Sequence, residues 1–273
     1  LATLGGNIFL SIIAVLISII ACKTGLTFAL LTRYSFGSTG SKAASIFVPV
    51  VNLGWYTIQA ATYGHFVAQV FHMGQVGEGI CMAVSAIVMG IFAMCGIGAI
   101  TILGYIAIPA IVFLSIATAI RSLGVIGGME ALFAYVPSSD MPLFTGITAV
   151  IGTWVLSTAT CIADIMRYAK DTKAAVSATL TGLLGGNILM IVCGAIAAIA
   201  MQNSDLTVIL LGFGLVIPSL ILMTTNIFTT NAANLYSTSL NLSNAFKMER
   251  KKMLAILLVL SALATLTKPY EIG

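Results

Sequence analysis

The sequence predicts an all-α polytopic membrane protein, for three reasons. Hydrophobic residues make up 59% of the 273-residue chain and charged residues only 7%, with a mean hydropathy of +1.10, whereas soluble domains carry about 25% charged residues. The apolar residues gather in runs of about 20, the length of helix that crosses a bilayer core. The basic residues sit in short stretches between those runs. The net charge of +4 therefore does not point to nucleic acid.

Eight spans follow, at roughly 3–21, 44–71, 79–97, 99–120, 143–165, 174–201, 206–240 and 253–267. The first begins almost at Leu1 with no signal peptide ahead of it, so the chain is expected to be an internal piece of a longer protein. The third and fourth are separated only by Gly96 and Gly98. The sixth contains Gly182 and Gly186, a spacing that fits close helix approach. Gly124 and Gly128 share that spacing but read better as turn glycines. The eighth is short and ends before Lys268-Pro269. All eight are expected to form a single transmembrane domain over 1–273.

Lys and Arg set the orientation. The loops after the first, third, fifth and seventh spans hold Lys23, Arg33, Lys42, Arg167, Lys170, Lys173, Lys247, Arg250, Lys251 and Lys252. The opposite loops hold only Arg121 and Lys268. The loops that hold those ten basic residues are expected to be cytoplasmic. The five cysteines (22, 81, 95, 161 and 193) lack CxxC spacing and read as small packed hydrophobes.

Polar residues inside such spans are expensive and mark function. The densest group is Thr224–Asn234, TTNIFTTNAAN, in the seventh span. Asn226, Thr229 and Thr230 fall at i, i+3 and i+4 on one face. A backbone carbonyl and two hydroxyls form a hard-oxygen set suited to Na+, and the lack of a carboxylate argues against a divalent ion. Asn231 points about 100° away, toward a neighbouring organic ligand. The bland alternative is interhelical Asn/Thr glue.

Trp55 and Trp154 both fall near mid-span, away from the interface where membrane Trp usually lies. Asn52 and Gln59 share the face of Trp55. An indole beside a primary amide suits a planar heterocycle, stacked on the ring and hydrogen-bonded at its edge. The alternative is a Trp packed between helices. Around Trp154, Gly152, Thr153, Ser157, Thr158 and Thr160 interrupt the apolar run. That pattern fits either a helix unwound beside a cavity or a Thr-rich helix back-bonded to its own carbonyls.

Enzyme templates fit poorly, and no GxSxG, HExxH or phosphate loop is present. Asp164, three residues before Arg167, reads as a salt-linked helix end. His65 and His72 share a face with no carboxylate or Cys to complete a metal set.

Four stretches resemble the nucleobase–cation symporter family 1, most closely its cytosine permeases: ACKTGLTFALLTRYSFGSTGSK at 21–42, NLGWYTIQ at 52–59, IGTWVLSTATCIADIMRYAKD at 151–171 and TNIFTTNAANLYSTSL at 225–240. The resemblance implies a leucine-transporter-type inverted-repeat fold with helices one and six broken at the site. The spans here would be family helices two to nine, without helix one or the C-terminal helices. It implies that Trp55 and Trp154 sandwich the ligand, with Asn52, Gln59, Thr153 and Asn231 lining the same pocket. It also implies that the Asn226 carbonyl, Thr229 and Thr230 form one half of a sodium site. Trp154, Asn52 and Gln59 depart from the cytosine permease pattern toward a hydantoin-type pocket. The implied function is import of cytosine or a related nucleobase- or hydantoin-like ring with Na+, in the plasma membrane, by alternating access and with no organic cofactor. The alternatives are a proton-coupled purine or allantoin permease and a non-transporting scaffold subunit.

Overall fold

The structure, a computed structural model, describes residues 1–136, 141–203 and 206–271. In order, the helices are α1 (Ala2–Thr24), α2 (Phe28–Val70), α3 (Gln75–Cys95), α4 (Ile97–Ile126), a short α5 (Met129–Phe133), α6 (Leu143–Met166) and α7 (Thr172–Leu180). A π-helical turn (Thr181–Asn187) joins α7 to α8 (Ile188–Met201). Then come α9 (Leu206–Gly212), α10 (Val216–Phe246), α11 (Arg250–Thr265) and a 3-10 turn (Pro269–Glu271). No strand occurs among the described residues.

Four segments are long and apolar enough to cross a membrane by length and composition: Ala2–Thr24, Gln75–Cys95, Ile97–Ile126 and Thr172–Met201. α2 and α10 are longer still but less apolar, because they turn polar side chains inward. α10 buries Asn231, Asn234, Ser237, Thr238, Ser239 and Asn241, and α2 buries Ser41, Ser45, Asn52 and Thr57. α4 shows the complementary arrangement. It buries only Ala107, Ser115, Ala119 and Ser122, while Ile102, Ile106, Phe113 and Ile120 lie exposed. Large apolar residues outside and small or polar ones inside suit a lipid solvent, where helix association comes from close packing and interhelical hydrogen bonds.

The 43-residue α2 is not straight. Gly37 sits at φ 65 and ψ −172, a conformation that residues with a side chain rarely adopt. It divides a nine-residue segment, 28–36, from the long helix that carries Asn52, Trp55 and Gln59. The expected second span began at 44 and missed this segment. α3 and α4 part at Gly96 alone, with φ 84, and Gly98 is an ordinary helical residue of α4. Gly182 and Gly186 lie in the π-helical turn, and a methyl group at Gly182 would touch nothing. They do not form the expected close contact. That role belongs to Gly64, where a Cβ would collide with the backbone of Cys81 and Met82.

Tyr56, Met89, Leu235, Leu254 and Leu257 form the main core where α2, α3, α10 and α11 meet. There the Tyr56 hydroxyl donates to the Ala86 carbonyl. At the π-helical turn, Asn187 Nδ2 donates to Asn7 Oδ1 of α1 at 2.7 Å. Two to three turns toward the other end of the pair, the Ser18 and Thr179 hydroxyls meet at 2.7 Å.

Candidate functional site

Three polar helix faces meet inside the bundle. On α6, Trp154, Ser157, Cys161 and Asp164 follow helical spacing. On α10 the matching face holds Thr230, Asn234, Ser237 and Asn241, and on α2 it holds Asn52, Trp55 and Gln59. Ser157 Oγ donates to Asn234 Oδ1 at 3.3 Å. Cys161 Sγ lies 3.6 Å from that oxygen and 3.8 Å from the Ala233 carbonyl. Asn52 Nδ2 reaches Cys161 Sγ at 3.9 Å. With Asp164 further on against Ser237 and Asn241, α6 runs parallel to α10, and with the Pro49 and Tyr56 carbonyls against Thr238 and Asn231, α2 runs antiparallel to both.

The register sets the heights of the two tryptophans. At 1.5 Å per residue, Trp55 lies about 4.5 Å along its helix from Asn52, and Trp154 about 10 Å from Cys161, in the same direction. Both indoles are 37% exposed. Gln59 lies one turn beyond Trp55, and its Oε1 is buried without a hydrogen-bond partner among the described residues. A buried acceptor left this way costs about 1–3 kcal/mol, so a donor from a bound molecule would gain there.

Asn52 is fully buried. Asn231 is too, but it faces the α2–α3 side. Its Nδ2 donates to the Tyr56 carbonyl at 3.2 Å and contacts Met89 Sδ at 3.2 Å, and its Oδ1 has no partner among the described residues. The Asn directed at α6 is Asn234. The motif contained it, but spacing alone could not separate it from Asn231. Thr153 bonds back to the carbonyls of Ala149 and Val150 at 3.3 and 3.0 Å. α6 runs unbroken from Leu143 to Met166, so the break implied for helix six is absent and the back-bonded alternative describes Thr153. The side chains of Thr158 and Thr160 lie outside the described residues.

Thr229 and Thr230 both donate to the Asn226 carbonyl, at 2.9 and 3.1 Å. Three hard oxygens therefore converge on one spot of α10. Thr229 also donates to the Thr225 carbonyl at 2.8 Å. Two other threonines of the motif are committed elsewhere: Thr224 to the Tyr63 hydroxyl at 2.7 Å, and Thr225 to the Ile221 carbonyl at 2.7 Å.

The expected Asp164–Arg167 salt link does not form. Arg167 Nε donates to the backbone carbonyl of Asp164 at 3.3 Å, and its guanidinium lies over the Tyr168 ring at 4.4 Å. The Asp164 carboxylate is fully buried. It accepts from Phe28 N–H at 3.0 Å, Ser237 Oγ at 2.5 Å and Asn241 Nδ2 at 2.6 Å. No local signal could have found these partners, which lie 136, 73 and 77 residues away.

His65 does meet a carboxylate, contrary to the sequence expectation. Its Nδ1 lies 2.6 Å from Glu78 Oε1. Lys268 Nζ reaches Glu78 Oε2 at 3.0 Å, and the Tyr270 hydroxyl donates to Oε1 at 2.7 Å. Burial and this carboxylate push the Tyr270 phenol above its ordinary pKa. No cluster of three or more metal-ligating side chains forms among the described residues.

Known proteins resemble this chain in sequence and in fold. A family model described as "Permease for cytosine/purines, uracil, thiamine, allantoin" matches residues 1–271. The cytosine permease of Escherichia coli K12 is 32% identical over 256 residues, covering 94% of this chain. The cytosine permease of E. coli O157:H7 matches equally well. The chain spans about 60% of the length of these curated relatives. Among solved structures, Mhp1, described as a nucleobase-cation-symport-1 family transporter in a closed conformation with bromovinylhydantoin bound, superposes with a TM-score of 0.83 at 16% identity. That match covers 97% of this chain and 63% of Mhp1. The inward-facing Mhp1 structure gives 0.76 at 17% identity with the same coverage. The fold is therefore the leucine-transporter type, and the chain, an integral membrane protein, belongs to the family of permeases for cytosine/purines, uracil, thiamine and allantoin.

Proposed function

We propose that the intact protein is a secondary active transporter of the plasma membrane that imports cytosine or a related nucleobase- or hydantoin-like ring together with Na+ by alternating access. One observation supports this most. Two half-exposed tryptophans and the Gln59 oxygen, unpartnered among the described residues, lie on the polar faces of α2 and α6 that meet α10, and the three converging oxygens of Asn226, Thr229 and Thr230 lie on α10 itself. Trp55 and Trp154 would stack on the ring, and Gln59 would read its edge. Asn52 and Thr153 lie on the same two helix faces. Asn231 would contribute through its unpartnered Oδ1, since its amide nitrogen is already committed. Asn226, Thr229 and Thr230 would supply part of the Na+ coordination.

A proton-coupled purine or allantoin permease is the second reading. It is favoured by the commitment of both Thr229 and Thr230 hydroxyls to carbonyls of their own helix. Uptake of radiolabelled cytosine, allantoin and a hydantoin by the intact protein in proteoliposomes, with a sodium gradient or a proton gradient, distinguishes the two. Sodium-driven uptake supports the first reading and proton-driven uptake the second. No uptake of any of the three would leave a scaffold.

A further inference from the structure

The segment 28–36 lies between two glycines in left-handed conformations, Gly25 at φ 69 and Gly37 at φ 65. Its last four residues, Arg33 to Phe36, are exposed, so its hold on the bundle is concentrated at its start. There the two leading amides are capped from other helices. Phe28 N–H donates to Asp164 Oδ1 of α6 at 3.0 Å, and Ala29 N–H donates to Asn241 Oδ1 of α10 at 2.8 Å. Asp164 and Asn241 are joined to each other at 2.6 Å. Asp164 lies one turn past Cys161, at the Lys/Arg-rich end of the polar seam, and the segment lies across that end.

We propose that this segment is a latch that closes the cytoplasmic end of the seam, with Asp164 and Asn241 as its catch and Gly25 and Gly37 as its hinges. The catch is held by neutral donors only. Phe28 N–H faces the carboxylate from α2, and Ser237 and Asn241 face it from α10. Arg167, on its own helix, donates to the backbone, and no cation lies within ion-pair distance of the carboxylate among the described residues. A buried carboxylate that loses its donors must be hydrated. The segment can therefore lift only when water enters the seam, which ties its opening to an inward-open cavity. The two caps also come from two different helices, so sliding α6 past α10 would break one of them.

This inference rests on the transport reading, and the test separates the two. In the intact protein with every cysteine except Cys161 replaced by Ala, labelling of Cys161 by a membrane-impermeant maleimide is measured in inside-out vesicles. Uptake is assayed alongside. Asp164→Asn places two amide donors face to face, and Asn241→Asp places two carboxylates face to face. Each should speed labelling by at least about tenfold, equivalent to about 1.4 kcal/mol. The double swap, Asp164→Asn with Asn241→Asp, again presents one amide and one carboxylate to the two N–H groups and should label within about twofold of the parent, a match that loss of folding would not produce. Unchanged labelling in both single variants, or a double swap as fast as the singles, overturns the latch. Loss of uptake by the parent would overturn the transport reading instead. If the single variants do not reach the membrane, hydrogen exchange on the unsubstituted protein decides. Amides of 28–36 should exchange faster with excess cytosine inside than outside, and equal rates overturn the latch.

Discussion

Ser157 on α6 donates to Asn234 on α10 at 3.3 Å, side chain to side chain. The pair fixes the register in which the two tryptophans and the α10 oxygens share one seam. Asn234→Ala would leave this junction without its acceptor. Interhelical hydrogen bonds in membranes are worth about 0.6–2 kcal/mol, so the variant should show a lower Tm in detergent by a few degrees. An unchanged Tm would mean the junction contributes nothing to the packing of α6 on α10.

Trp55→Ala and Trp154→Ala should each weaken ring binding roughly ten- to a hundredfold, because base–aromatic stacking is worth about 1–3 kcal/mol. Trp154→Phe should cost much less, since a π face remains. Equilibrium binding of a radiolabelled nucleobase or hydantoin to the purified intact protein measures this. Equal affinity in both alanine variants would remove the sandwich.

Gln59 offers a buried acceptor without a partner. Gln59→Ala should therefore change the ranking of substrates more than it lowers affinity overall, because rings with a donor at that edge lose a bond and others do not. Competition assays with cytosine, uracil and a hydantoin give the ranking. A uniform loss across all three would place Gln59 in a purely structural role.

Thr229→Val and Thr230→Val keep side-chain shape and remove the hydroxyls that converge on the Asn226 carbonyl. In either variant Na+ should cease to tighten substrate binding, while binding in sodium-free buffer changes little. Linkage makes the effect reciprocal, so substrate should no longer tighten Na+. Calorimetric titration with and without sodium reads both directions. Full sodium dependence in the double variant would move the ion elsewhere or favour proton coupling.

Gly64→Ala should reduce the amount of folded protein, since the new methyl would meet the backbone of Cys81 and Met82 and not a movable side chain. Overpacking of this kind costs about 1–3 kcal/mol. Gly182→Ala, which meets open space, serves as the control in a fluorescence size-exclusion assay. Equal yields for both would show that α2 and α3 can separate at little cost.

Apolar runs of span length have few alternatives, so most helices lie where such runs do, but the run expected as one span at 206–240 is two helices, α9 and α10. The start of α2 was not legible. SFGSTG carries no apolar period, so neither the short segment 28–36 nor its bend at Gly37 could be anticipated. Asp164 was misread for a related reason. Its i+3 neighbour Arg167 supplied a local partner on paper, while the groups that hold it come from Phe28, Ser237 and Asn241, all distant in sequence. Asn231 and Asn234 lie three residues apart on one helix, and only the packing of α2, α3 and α6 around α10 separates the side chain aimed at the Tyr56 carbonyl from the one aimed at Ser157. His65 lacked a visible carboxylate because Glu78 sits across a helical hairpin.

The π-helical turn at Thr181–Asn187 gives this span a tolerance to a one-residue deletion that composition does not reveal. A wide turn of this kind accommodates one residue more than an α-helix would. Deleting a single residue there would restore the ordinary winding and leave Ile188–Met201 in its present phase against Thr172–Leu180, whereas the same deletion in a plain α-helix would rotate it by about 100°. Asn187 would then keep its contact with Asn7, and Thr179 its contact with Ser18. A single-codon deletion at this point should therefore be tolerated, while the same deletion within Ile188–Met201 should misalign the residues beyond it.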